Sequence, residues 1–248
     1  MYARESDVAN CTIGDVPDWG FPCAAELMTA LLSARNPFPC TFAVAAAKKS
    51  ALRFGFIESA ENPDFWSPLP DILNEYLRVY RGIGKDTSLV VFFRPDRENA
   101  PIEEYFTRFW SVLQYLHDKD THPWPEDVPT DPNAKWWEFS FGGTAVFAVC
   151  NTPAHVRRKS RGSTGMVITF QPRWVFEGLE PHTPRGDAAR RVIRNRIRRF
   201  DRMEPAPQLG NYGDADNLEW RQYFLPDAND EEITGCPFHA QRTRRTSE

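Results

Sequence analysis

Cysteine is sparse and shows no pairing pattern: Cys11, Cys23, Cys40, Cys150 and Cys236 make an odd total of five with no CxxC spacing. Neither a disulfide framework nor a structural zinc site is signalled, and each thiol reads by default as a small buried hydrophobe. Long hydrophobic runs are missing as well. No stretch approaches the roughly 18 to 20 apolar residues needed to span a bilayer, and the first seven residues lack the apolar run of a signal peptide. These absences lead to the expectation of a cytoplasmic protein that does not engage a membrane. Nor is there an excess of one charge. A net charge of −4 gives no general pull toward nucleic acid. GxxxxGK[ST], a GxGxxG after a strand, HExxH and GxSxG are all absent, which leaves phosphate-cradling, dinucleotide, zincin and α/β-hydrolase readings without specific support.

What the chain does hold is aromatic bulk, 13% of 248 residues with 18 Phe and 8 Trp, enough for a thick core or for a pocket enclosing a flat apolar molecule. Helical spacing is read from Pro22 to Leu32, from Pro70 to Tyr80 and from Pro101 to Leu116, and again in a last helix that Asp187 is expected to cap. In that helix Ala188, Ala189, Val192, Ile193, Ile197 and Phe200 oppose a row of arginines, read as a solvated or salt-bridged face. Strands are read at Leu89 to Phe93, at Trp137 to Val149 around Gly142-Gly143, and at Gly165 to Phe170; Cys40 to Ile57 reads as a hairpin turning at Lys48-Lys49-Ser50. Prolines 123, 125, 129 and 132 require a loop. The expected fold is a single α+β domain, a largely antiparallel sheet packed with three to four helices. Residues 1–20 form an irregular start, 21–204 the domain, and 205–248 an extended segment packing on it.

The most unusual stretch is Asn151-Thr152-Pro153-Ala154-His155-Val156-Arg157-Arg158-Lys159-Ser160-Arg161, a strand exit that turns at proline and then presents one histidine and four cations. An imidazole at a strand end can ligate a metal, and a histidine satisfied by hydrogen bonds in a turn explains His155 as well. The cations can pair bidentately with carboxylates or form a solvated basic turn. Cys40, after Phe38-Pro39, is either a directed thiol or an inert buried one.

Three segments together resemble the YqcI/YcgG family: Phe38-Pro39-Cys40-Thr41-Phe42-Ala43 with Leu52-Arg53-Phe54-Gly55-Phe56; Phe141-Gly142-Gly143 through Cys150-Asn151-Thr152-Pro153-Ala154-His155; and Phe170-Gln171-Pro172-Arg173. Cys236-Pro237-Phe238 adds a looser similarity. The resemblance implies a haem-dependent N-oxygenase, since members act in this way on substrates such as arginine or 2-aminoimidazole. The expected cofactor is haem b, with His155 as first choice and Cys40 as alternative axial ligand to iron. Arg157, Arg158, Arg161, Trp137, Phe141 and Trp174 are expected around the cofactor, and Glu138 and Glu177 are expected to hold a cationic substrate. The partners implied are a small guanidine or amine substrate, O2 or peroxide and an external electron donor, with a homodimer left open. A non-catalytic haem or small-molecule carrier or sensor is the competing reading, and a protein-interaction module using the basic helix is a third.

Overall fold

The computed structural model describes residues 4–211, 214, 217–231 and 235–240. Among the described residues six helices surround one five-stranded sheet: α1 (Glu5–Asn10), α2 (Gly20–Leu32), α3 (Thr41–Lys48), α4 (Leu69–Ile83), α5 (Ile102–Lys119) and α6 (Pro184–Asp201). The strands are β1 (Leu52–Ile57), β2 (Ser88–Phe93), β3 (Ser140–Phe141), β4 (Thr144–Asn151) and β5 (Val167–Pro172), in spatial order β1-β2-β5-β4-β3. β1 and β2 run parallel, joined by α4 as a crossover needs, and the other three pairings are antiparallel. The expected α+β class with a mostly antiparallel sheet is what forms.

Alternation along the strands assigns each face its own cover. Leu89, Val91, Phe93, Ile168, Phe170, Val146 and Ala148 join α4 and α5 in one large apolar cluster that also takes in Trp220, Tyr223, Phe224 and Phe238. Burying that many large side chains is worth roughly 1.5–3 kcal/mol each before entropy is subtracted, so this face is the stable side of the molecule. On the opposite face Leu52, Phe54, Val90, Phe92 and Val167 meet Val8, Ala24, Leu31 and Ala46. Between β3 and β4, Gly142 and Gly143 both adopt positive φ (+58° and +67°), as the tight hairpin requires.

Four local expectations are corrected. Cys40 to Ile57 is not a hairpin: Thr41–Lys48 is helical and β1 pairs with β2 instead. The alanines favour the helix, and the Cys40 Sγ accepts from the Ala43 amide at 3.4 Å, stopping it as a cap does. The last helix is capped by Thr183, whose Oγ1 accepts from the Gly186 amide at 3.1 Å, with Asp187 inside the first turn. Residues 5–10 of the supposedly irregular start form α1, and Val8 on it is buried; residues 1–3 lie outside the described residues. The apolar stripe of α6 is also narrower than expected, since Ala188 and Val192 face solvent.

Beyond Pro205 the described residues hold one regular piece, the 3-10 turn Glu219–Gln222. The following Tyr223 lies along β4, its carbonyl accepting from the Cys150 amide at 2.9 Å. Residues 212–213, 215–216, 232–234 and 241–248 lie outside the described residues. Among the described residues no helix is long and apolar enough to cross a membrane.

Candidate active-site cavity

The two covers are unequal. Where α6 crosses the sheet it buries only Gly186, Ile197 and Asp201, leaving a cavity of about 590 Å³ beneath it. The sheet supplies the floor as Ser88, Val90, Phe92, Phe147, Val149, Asn151, Thr169 and Gln171, while α2, α3 and α6 supply apolar walls that include Leu27, Leu31, Ala43 and Ile193. Such a volume and lining suit a small-molecule or cofactor site.

Polar groups enter at a few places. Cys40 reaches the wall from the start of α3; burial pushes its thiol pKa up, partly offset by the Ala43 and Phe42 amides and by the Arg161 charge. Arg161 lines the cavity, donates from Nη2 to the Gln222 carbonyl at 3.3 Å, and has its Nη1 buried without an acceptor. Burial, with Arg158 nearby, lowers its pKa to about 10. Arg158 is 1% exposed, its Nε on the Pro226 carbonyl (2.6 Å) and Nη2 on Asn229 (2.8 Å). The loop carrying both arginines is pinned twice. Asp201 of α6 accepts from the Ser160 amide and hydroxyl (2.6 and 2.7 Å), and Asp227 accepts from the Arg157 and Arg158 amides.

A second polar patch contains two carboxylates. Glu138, 3% exposed, accepts from Arg173, which also reaches Asp127 at 2.9 Å. Glu219 is 6% exposed and held at Oε2 by Asn217 (3.4 Å) and Gln222 (3.3 Å). Desolvation first, then the Glu138 charge, raises its pKa to about 8. Gln222 thus touches both patches, through its carbonyl to Arg161 and its side chain to Glu219. Neither Glu219 nor Gln222 stood out in the sequence; the one available signal was a charge between Leu218 and Trp220 in an irregular stretch.

Of the residues singled out from sequence, Cys40, Arg158, Arg161, Glu138 and Glu177 line the cavity. Glu177 is exposed and paired with Lys85 at 2.9 Å. His155 lies behind the wall, 4% exposed, with Nδ1 2.8 Å from Thr152 Oγ1 and Nε2 2.8 Å from the Leu225 carbonyl. A carbonyl can only accept, so Nε2 carries the hydrogen and Nδ1 accepts from the hydroxyl. Both ring nitrogens are therefore engaged, Nε2 as donor and Nδ1 as acceptor. Arg157 points to solvent. Trp137 and Phe141 sit in the large cluster on the other face, and Trp174 packs at its edge over Tyr80 with Lys85 4.2 Å above its ring. The motif Cys236-Pro237-Phe238-His239 places Phe238 in the same cluster, against Trp137 and Phe139. Among the described residues no three His, Cys, Asp or Glu side chains group so as to hold a metal ion, whereas an iron porphyrin asks the protein for a single axial donor.

Comparison with known proteins follows the same segments. The chain is 38% identical to YqcI of Bacillus subtilis (strain 168) over 226 residues, 90% of this chain and 89% of that protein. It is equally 38% identical to YcgG of the same organism over 227 residues, again 90% and 89%. A third relative, from Streptomyces lavendulae and named "Putative N(omega)-hydroxy-L-arginine synthase DcsA", is 37% identical over 207 residues, 81% of this chain and 77% of that one. No solved structure matches the chain. The YqcI/YcgG family model matches residues 27–239, a span that includes every strand among the described residues and all of the cavity lining named above, and the chain belongs to that family.

Proposed function

We propose that this protein is a haem-dependent N-oxygenase that adds oxygen to a nitrogen of a small guanidine, amidine or aromatic amine. The observation that carries the reading is the cavity itself: apolar walls, a cysteine sulfur, and a buried guanidinium nitrogen that lacks an acceptor. The name of the 37% identical relative supports oxygenation at nitrogen.

The residues present fit the cofactor. Cys40 is the residue that would hold the iron, because it lines the cavity wall while both nitrogens of His155 are taken. Arg161 would meet a propionate with Nη1, relieving a donor that is otherwise buried at a cost of roughly 1–3 kcal/mol. Bound there, haem would supply activation of O2 or peroxide, with electrons from an external donor, for transfer of one oxygen atom to nitrogen. The chain's part is to exclude water with Leu31, Phe92 and Ile193 and to hold the substrate's polar end on Glu138 and Glu219. His155 then serves as a brace, tying the strand exit to Leu225.

The test is an absorption spectrum of the purified protein, oxidised, reduced and with carbon monoxide, followed by mass spectrometry of guanidines incubated with protein, reductant and oxygen. A Soret band with a thiolate-type ferrous-CO spectrum and a product heavier by one oxygen is expected. Absence of a Soret band after haem supplementation refutes the reading; a band without any product leaves a carrier or sensor.

A further inference from the structure

Two carboxyl groups, Glu138 and Glu219, are buried at one cavity wall, and among the described residues only Glu138 is paired with a cation, so the balance of charge there singles out Glu219. Glu138 is on Arg173 directly, and Asp127 takes Arg173 from the solvent side. Among the described residues Glu219 has no cation in hydrogen-bond reach, only the amides of Asn217 and Gln222. Further out, Lys85 and Glu177 pair with each other at the exposed rim, Glu180 and Arg190 also line the cavity with Arg190 held by Asp187 and the Leu179 carbonyl, and Arg221 of the same turn lies over the Trp220 ring. With Glu138 ionised on Arg173, an ionised Glu219 would be a buried, uncompensated anion, a state that proteins avoid by keeping the proton. The cavity is independently marked as a ligand site by the buried, acceptorless Nη1 of Arg161, joined to Glu219 through Gln222.

We propose that Glu219 recognises the permanently charged head of the substrate and gives up its carboxyl proton to solvent as that head enters. The inference rests on the functional reading above and specifies which residue reads the substrate. Before binding, the buried Glu138, its Arg173 and a protonated Glu219 sum to zero, the charge of the 73% exposed Asp127 side chain being screened by solvent. A guanidinium or amidinium would bring an uncompensated +1 into a desolvated place, and loss of the Glu219 proton restores neutrality with a charge-assisted hydrogen bond in place of a weak one. A neutral isostere gains nothing from that exchange. Below the pKa of Glu219 affinity for the cation should therefore rise about tenfold per pH unit, flattening once the carboxyl is ionised in the free protein.

The experiment is isothermal titration of the protein as purified with phenylguanidine, and with phenylurea as the neutral isostere. It is run in two buffers of different ionisation enthalpy between pH 6 and 9, on wild type and Glu219→Gln. Wild type is expected to release close to one proton per phenylguanidine at the acid end and none at the alkaline end. Glu219→Gln should release none and bind phenylguanidine at least tenfold more weakly at the alkaline end, with phenylurea unchanged. Equal affinities and proton counts in the two proteins would overturn the assignment. So would a wild-type count near zero throughout the range, which needs no variant to fold. Protein without a Soret band that still shows the Glu219-dependent release removes the haem reading and keeps this one, whereas a haem protein without the release does the reverse.

Discussion

His155 Nδ1 lies 2.8 Å from Thr152 Oγ1 on one side while its Nε2 reaches the Leu225 carbonyl, also at 2.8 Å, on the other. The ring is thus a neutral strut between the exit of β4 and the chain that returns beside it. Desolvation, followed by the influence of nearby Arg161, holds its pKa down at about 4 against the opposing pull of the Leu225 bond.

That depression fixes a pH dependence. A histidine whose folded pKa is below its unfolded one binds more protons when unfolded, so its contribution is complete above the unfolded value near 6.5 and declines as pH falls toward 4. The loss is on the order of 3 kcal/mol over that window. Denaturant melts at pH 7 and pH 4.5 should show it, and His155→Gln should lower stability at pH 7 and flatten the slope. An unchanged slope in the variant would show that other groups set the acid limit.

Cys40→Ser separates two tasks of one atom. Serine is a good cap, so α3 should keep its start and stability should change by less than about 1 kcal/mol. The thiolate character of the ferrous-CO spectrum should vanish. If the spectrum survives in a folded Cys40→Ser protein, the axial donor is elsewhere.

Arg173→Met should be far more disruptive than its partly exposed position suggests. It leaves Glu138 buried without its cation, at about 2–3 kcal/mol, and the carboxyl should respond by taking up a proton. Glu138→Gln in the same background should recover part of the loss, measurable as a positive coupling in a double-mutant cycle.

The two glycines of the β3–β4 turn should differ under substitution. A Cβ on Gly142 would stand 3.2 Å from Leu77 and 3.3 Å from Asn74 besides requiring positive φ, whereas one on Gly143 meets nothing within 4 Å. Gly143→Asn, a residue that tolerates this backbone, should cost under about 1 kcal/mol, and Gly142→Ala clearly more. Equal midpoints in urea would contradict the geometry.

The sheet was readable where pattern and burial agree. The apolar run Leu89 to Phe93 became the wholly buried β2, and the paired glycines marked the turn into β4. It misled at Thr41–Lys48, where short apolar runs around a lysine turn look like paired strands until the helix preference of consecutive alanines and the Cys40 cap are counted. The cavity was half legible. Arg158, Arg161 and Glu138 attract notice because charge beside a strand is unusual. Glu219 acquires meaning only from the chain's return along β4, a long-range arrangement that no local spacing encodes. Trp137 and Phe141 drew attention by size alone, and size equally serves the sealed face where they lie.

Alternation in β4 has a further result for how this sequence can vary. Ala148 and Cys150 point into the close-packed layer, whereas Phe147, Val149 and Asn151, one step away, form the floor of the open side. Replacing Val149 or Asn151 should therefore reshape what the cavity admits at less cost to folding than replacing Ala148 or Cys150, so a change of chemistry need not pass through a loss of foldedness.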